Sequence, residues 1–562
     1  MMLRYAAVLV ALAVLFHPSI AGAWGNVFNG TPIGTGTNNQ LNAVCVPDGA
    51  GGAIIAWADN RNNNYDIFAQ RVNAWGQAQW TANGAPVRVA TNNQTNPAIV
   101  SDGAGGAIVF FEHLANNGST DIYAQRMSPT GTQLWVNPTL VSAAMDDQSF
   151  PRAIADGVGG AIVVWQDDRQ GGTIVADVFA QRIDANGVVL WANNGVSVSA
   201  AAQKQTNARI TSDGSSGAII AWSDFRDNTT YGVYAQRVNS TGNVQWTGDG
   251  VLIGSDMGAE NTPGITNDGA GGAIVTWHSD IDGDNDIYAQ RLNSTGAAQW
   301  TAGGIGVCTA SDNQSYPQIT PDGSGGAIVA WQDLRNTVTF IDENIYAQRI
   351  NSSGAAQWTA NGVVLCAQTG ASVQPQIVSD GAAGAVVVWT DDRLLDYNLF
   401  AQRVNAAGAV LWTTDGAALS LGTSGQTGPA PVSDGAYGVI AAWNDTRSGN
   451  FDVYANRITG GGIIPTAVGD TPSIAKASLG QNHPNPFNPS TTIEYTLTAR
   501  TPVKIEIFDA RGALVASLDE GMREPGAHRA QWNASPTVSS GVYFYRLAGA
   551  PAAESRKMVL VK

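Results

Sequence analysis

The stretch Asp322-Gly323-Ser324-Gly325-Gly326-Ala327-Ile328-Val329-Ala330-Trp331, followed by Ile345-Tyr346-Ala347-Gln348-Arg349 and then Trp358, decides the fold. The apolar run Ala327 to Trp331 is short and bounded by Gly and Asp, which is the pattern of a buried strand. Asp-Gly-x-x-Gly supplies the positive-φ positions that a tight hairpin needs. Asn351 to Gly354, ahead of Trp358, marks a second turn. One unit therefore reads as four strands: a Pro-x-Ile segment, the Gly-Ala-Ile-Val-x-Trp strand, the Tyr-Ala-Gln-Arg strand and a strand at the last Trp.

The unit recurs eight times. Asp-Gly returns at Asp48, Asp102, Asp156, Asp213, Asp268, Asp322, Asp380 and Asp434. The third strand ends at Arg71, Arg126, Arg182, Arg237, Arg291, Arg349, Arg403 and Arg457. The last Trp is Trp24, Trp80, Trp135, Trp191, Trp246, Trp300, Trp358 or Trp412. Repeated four-stranded units make a β-propeller. Trp24 precedes the first Asp-Gly, and no Trp strand follows Arg457. An N-terminal strand that completes the last unit would close the ring and leave no free sheet edge. That favours eight blades over seven.

The chain has 562 residues, 17 Trp, 65 Gly and only 13% charged residues. Its 29 basic and 45 acidic residues give a net charge of −16. That balance disfavours nucleic acid and anionic membrane as general partners. Cys45, Cys308 and Cys366 are too few for a disulfide framework and read as small buried residues. Residues 1–23 read as a secretory signal: Arg4, an apolar core from Tyr5 to Phe16, and Ala21-Gly22-Ala23 as the cleavage site. No transmembrane segment is expected in the mature chain. Residues 24–458 are then the propeller, 459–478 a Gly- and Pro-containing linker, and 479–562 a small β-sandwich.

A residue present in every blade serves the fold. Trp and the small Ala and Gly positions should pack between blades, and Asp48 with Arg71 should set the pattern of an Asp–Arg pair. Six blades also carry Trp-x-Asp-x-Arg, as in Asp59/Arg61 and Asp333/Arg335. These read either as loop-closing ion pairs or as a ring of recognition sites. Length variation concentrates between the second and third strands, above all in repeats 3 and 6, and marks one face for binding.

Blades 2 and 5 break the six-fold pattern. Blade 2 has Phe111-Glu112-His113, and blade 5 has Trp277-His278-Ser279-Asp280. Glu112, His113 and His278 are therefore candidates for the binding face, with both histidines read as exposed loop residues. Asp280, Asp282, Asp284 and Asp286 alternate on a short Gly-containing loop, a pattern that either holds Ca²⁺ or forms a solvated acidic loop. No catalytic constellation and no phosphate-binding Gly loop is legible.

Two resemblances add to this reading. Ala347-Gln348-Arg349-Ile350-Asn351, with Gly354 and Trp358, resembles the tryptophan-docking motif of pyrroloquinoline-quinone propellers, which also have eight blades. The adjacent cysteines of those enzymes have no counterpart here, so the likeness extends to fold and not to chemistry. At the C-terminus stand Asn482-His483-Pro484-Asn485-Pro486-Phe487-Asn488-Pro489, Ile507-Phe508-Asp509-Ala510-Arg511-Gly512, Gly541-Val542-Tyr543-Phe544-Tyr545 and Lys557-Met558-Val559-Leu560. This segment resembles the type A sorting domain of the type IX secretion system and the flagellar-hook-cap-type Ig-like domain. The resemblance implies an Ig-like fold, contact with outer-membrane secretion machinery, and export. A plain Ig-like module also fits.

Together these readings describe a secreted or surface-attached propeller. It would bind an extracellular glycan or protein, or serve as a scaffold. The alternative is an extracellular polysaccharide hydrolase or lyase with its site on the variable-loop face.

Overall fold

The computed structural model describes residues 24–25, 27–28, 30–169, 176–257, 262–280, 283–335, 342–422, 424–465, 478–497, 501–509, 514–523, 526–548 and 556–562. None of them lies in a helix, so none could form an apolar membrane-crossing helix. The chain forms two compact units, one spanning Gly22–Pro465 and the other containing Thr466–Lys562.

The first unit is an eight-bladed propeller of four-stranded antiparallel sheets. Blade 1 runs Gln40–Pro47, Ala53–Asp59, Asp66–Val72 and Ala85–Arg88. The second strand is buried along its whole length because it lies between two neighbouring blades. Its run of Ala, Ile and Trp, without polar alternation, follows from burial on both faces. The innermost strands lie side by side around the ring, and that of blade 8, Gln426–Ser433, meets that of blade 1. Blade 8 takes its outermost strand, Thr31–Gly34, from the N-terminal end of the propeller, where it pairs with Asp452–Ile458.

The repeated Asp, Arg and Trp weld each blade to the next. Asp48 Oδ1 accepts the backbone N–H groups of Ala50 and Gly52 at 2.8 and 2.7 Å, which shapes the hairpin. A side chain on Gly52 would run into the Val72 carbonyl oxygen, so Gly is required there. The other carboxylate oxygen, Oδ2, holds Arg71 at 3.0 Å. Arg71 and Trp80 both donate to the carbonyl of Pro129, in the Ser128–Thr132 turn that follows the third strand of blade 2. Trp80 also lies against Gly131, whose φ of +82° and contact with the indole leave no room for a Cβ. Around the ring the accepting carbonyls are Ala185, Ser240, Ser294, Ser352, Ala406 and Gly460. At the closure, Arg457 of blade 8 and Trp24 both reach Ala74 of blade 1.

Two expectations change here. The last Trp of each unit is not in the outermost strand. Trp80 stands ahead of Ala85–Arg88, at the head of a turn braced by Gln70, which bonds Trp80 N–H and the Thr81 carbonyl. An indole confined to a strand could not reach the next blade's turn. Thr459 to Ile463, read as the start of a linker, is the eighth copy of the accepting turn seen at Ser128–Thr132, and Gly462 bears Trp412.

The second unit has two antiparallel sheets. One orders Ser478–Leu479, Ser490–Leu497 and Gly526–Asn533. The other orders Leu514–Arg523, Thr501–Asp509, Gly541–Ala548 and Arg556–Leu560. Ile493, Tyr495 and Trp532 from the first pack with Ile505, Ile507, Tyr545 and Met558 from the second. The alternation of these residues with polar ones follows from sheets that are each covered on one face.

Candidate functional site

The Trp-x-Asp-x-Arg groups are structural. In six blades the Trp indole donates to the Asp carboxylate at 2.7–3.1 Å. The Arg Nε donates to the same group at 2.7–2.9 Å. The guanidinium lies 3.7–4.2 Å from the ring centre of a third-strand Phe or Tyr. All six carboxylates are buried, and every oxygen is committed within the blade. This commits all six carboxylates to the blade and favours the ion-pair reading.

The positions where blades differ gather at the mouth of the central channel, on the face of the variable loops. Seven of the eight innermost strands, all but that of blade 5 as described, are bulged near their start, with the register shift between Leu41 and Val44 in blade 1. The residue in the bulge has positive φ: Asn42, Asn96, Phe150, Asn207, Tyr316, Gln374 and Gly428, at +47° to +64°. Asn and Gly suit that conformation, but large aromatic side chains rarely adopt it. Phe150 and Tyr316 are nonetheless there, and 56% and 59% exposed. Strain held at an exposed aromatic points to use of the side chain.

Glu112 and His278 each stand beside one of these aromatics. Both occupy the position after the second-strand aromatic, which faces the next blade. Glu112 Oε1 accepts the Phe150 N–H at 2.7 Å, and Oε2 accepts from Thr95 Oγ1 and Asn96 Nδ2 at 3.0 and 2.8 Å. Its carboxylate thus sets the bulge of blade 3. The His278 ring lies 6.2 Å from that of Tyr316. Burial pushes the His278 imidazole down to about 4, so it is neutral at physiological pH.

Neither histidine is an exposed loop residue, contrary to expectation. Both sit in second strands and are half-buried. His113 takes the register position of Asp59, opposite Asp121 as Asp59 is opposite Asp66. It lies 3.1 Å from Gln94 Nε2 and edge-on to Tyr123. Ala115 stands where Arg61 stands in blade 1, so no guanidinium needs a carboxylate there. His113 is a packing substitute, whereas Glu112 reaches the mouth.

The acidic run in blade 5 divides. Asp280 is exposed, Asp284 half-buried and Asp286 buried at the start of the third strand. Asp286 holds the place of Asp66, which in blade 1 accepts the Ala90 N–H, so it belongs to the repeat. Asp282 lies outside the described residues. Among the described residues, no three His, Cys, Asp or Glu side chains gather to hold a metal.

Three cavities line the mouth. One of about 600 Å³ lies over blades 6 to 8, lined by Tyr316, Gln332, Glu343, Gln374 and Gln376. Burial, with help from Asp392, raises the Glu343 carboxyl above the usual range. The second, of about 590 Å³, is central and shares Gln376 and Gly428 with the first. It also reaches Phe150 and Arg152. The third, of about 340 Å³, shares those two residues and adds Gln166, Lys204, Asn207 and Arg209. Sequence reading missed Phe150, Arg152, Arg209 and Tyr316. The available signal was positional: the bulge column and the column two residues later vary while the columns around them repeat.

Comparison with known proteins separates the two units. The family described as a secretion system C-terminal sorting domain matches residues 482–562. The chain is therefore a secreted or cell-surface protein that carries its export signal at the C-terminus. No curated protein matches the chain. Among solved structures, an α-L-arabinanase from Penicillium chrysogenum bound to arabinobiose is 14% identical, with 56% of this chain and 93% of that one covered and a TM-score of 0.34. A protein of unknown function from Dyadobacter fermentans is 9% identical over 64% and 93%, with a TM-score of 0.34. A Hadza microbial sialidase is 10% identical over 58% and 71%, with a TM-score of 0.31. At these values the likeness says nothing of this chain's chemistry.

Proposed function

We propose that the propeller is an extracellular saccharide-binding module whose ligand enters the mouth on the variable-loop face. A leader at 1–23 and an Ig-like sorting domain at the C-terminus would carry it out of the cell. The observation that carries this reading is the pair Phe150 and Tyr316, exposed aromatics held in a backbone conformation they disfavour. Aromatic faces stack on sugar rings, and the glutamines and asparagines around them supply donors and acceptors without charge. The hydrolase reading draws on Glu343, a carboxyl with raised proton affinity in the cavity over blades 6 to 8. A glycosidase commonly uses two carboxyls flanking the scissile bond, and Glu343 is alone among the residues lining that cavity.

Titration of the full chain with a panel of soluble oligosaccharides tests the proposal. The informative variant is Phe150→Asn with Tyr316→Asn, because Asn is the bulge residue of blades 1, 2 and 4 and keeps the positive φ. The variant is expected to melt at or above the wild-type temperature and to bind at least tenfold more weakly. Equal affinity would refute the assignment. Release of new reducing ends by the wild type, lost in Glu343→Gln, would replace it with the hydrolase reading.

A further inference from the structure

The propeller fixes nearly all of its positive charge in its own framework. Of the 18 basic residues between Gly22 and Pro465, 14 are arginines paired to an Asp. The other four are Arg88, Arg152, Lys204 and Arg209. Three of these four line one cavity of about 340 Å³, and no Asp or Glu lines it with them.

Arg152 and Arg209 hold the same place in adjacent innermost strands, immediately after the bulge. Blades 1, 2, 6, 7 and 8 have Val44, Ala98, Gln318, Gln376 and Ala430 there. The repeat therefore does not need a cation at this position. Among the described residues, neither arginine forms an ion pair. Arg152 Nη1 bonds only to the Pro151 carbonyl at 3.0 Å, and Arg209 Nη1 to that of Ala208 at 3.4 Å. Burial and the facing charge of Arg152 push Arg209 down to about 10, which leaves it cationic at neutral pH. Burial also lowers Arg152, and Glu112 opposes this across the blade boundary. Two half-buried guanidiniums side by side repel each other and gain nothing from the fold.

We propose that Arg152, Lys204 and Arg209 form an oxyanion subsite at the edge of the mouth. Guanidinium forks suit planar carboxylates and sulfate esters, and two forks with an ammonium suit a single oxyanion group. Phe150 borders both this cavity and the central one, so a sugar stacked on it would place a charged substituent within reach of the cations. Resting on the saccharide reading above, the ligand class is a charged glycan bearing a carboxylate or a sulfate ester. The overall charge of −16 would repel such a glycan at long range. The local cations must supply the selectivity.

The test uses the full chain and the variant Arg152→Gln with Arg209→Gln, which installs the residue of blades 6 and 7. Both are titrated with oligogalacturonate, a sulfated galactan oligosaccharide and neutral galactan of equal length. The wild type is expected to prefer a charged oligosaccharide at least tenfold, and the variant to lose that preference while retaining its melting temperature. The carboxylate and sulfate arms identify which group is read. Equal binding of charged and neutral sugars by the wild type would overturn the subsite and leave the saccharide reading standing. Retention of the preference by the variant would do the same. If no oligosaccharide binds, the saccharide reading fails. Millimolar sulfate then decides the subsite: a rise in melting temperature larger in wild type than in variant supports it, and equal rises overturn it.

Discussion

The repeated residues of this protein do one of two things. Those that recur in every blade are fully engaged: Asp48 holds two backbone N–H groups and an arginine, and that arginine reaches the next blade. Those that recur in six blades are engaged within one blade. Asp333 is buried between Trp331 and Arg335, with Arg335 stacked on Tyr346. Arg335→Ala leaves that carboxylate buried without its counter-charge and is expected to cost about 3 kcal/mol of stability. Adding Asp333→Ser restores the blade 5 solution, Ser279, and should recover at least half of the loss. Urea denaturation of the single and double variants measures both numbers. A double variant no more stable than Arg335→Ala would mean that the pair is not the energetic unit described.

At the scale of elements, the blade was legible and the bulge was not. Asp-Gly-x-x-Gly, the apolar second strand and Tyr-Ala-Gln-Arg each have a local signature, and eight copies make that signature redundant. The bulge at the start of the innermost strand has none, because Asn42, Phe150, Tyr316, Gln374 and Gly428 share a backbone conformation and no chemistry. Nor does any motif join Arg152 to Arg209, which ring packing brings together across a blade boundary. The docking Trp was assigned to the wrong place for a related reason: its partner lies one blade away, beyond the reach of strand periodicity. Closure is the element-scale claim with the largest consequence. Thr31–Gly34 covers the edge of Asp452–Ile458, and Trp24 with Arg457 joins blade 8 to blade 1. Deleting residues 24–34 exposes that edge to pairing with another chain. Light scattering should then detect dimers or larger species, whereas Trp191→Ala, which loses an interior clamp alone, should stay monomeric. A monodisperse deletion variant would contradict the closure.

At the scale of the whole molecule, two units divide the work. The C-terminal one carries the sorting signal at 482–562, and its motifs were plain in the sequence because they fall within one contiguous segment. The propeller supplies a ring of repeated blades, and the proposed binding site lies where blades depart from the repeat. Glu112, Phe150, Arg152, Lys204, Arg209 and Tyr316 are such departures, and all stand at or beside one mouth. In the propeller most basic residues are held in internal pairs, and Arg88, Arg152, Lys204 and Arg209 are the four left over. Hydrogen exchange of the full chain, with and without saturating oligogalacturonate, tests this most directly. Slowed exchange is predicted at the bulged starts of the innermost strands, around Asn96–Ala98, Phe150–Arg152, Asn207–Arg209 and Tyr316–Gln318. Protection confined to the outermost strands or to residues 482–562 would contradict the account.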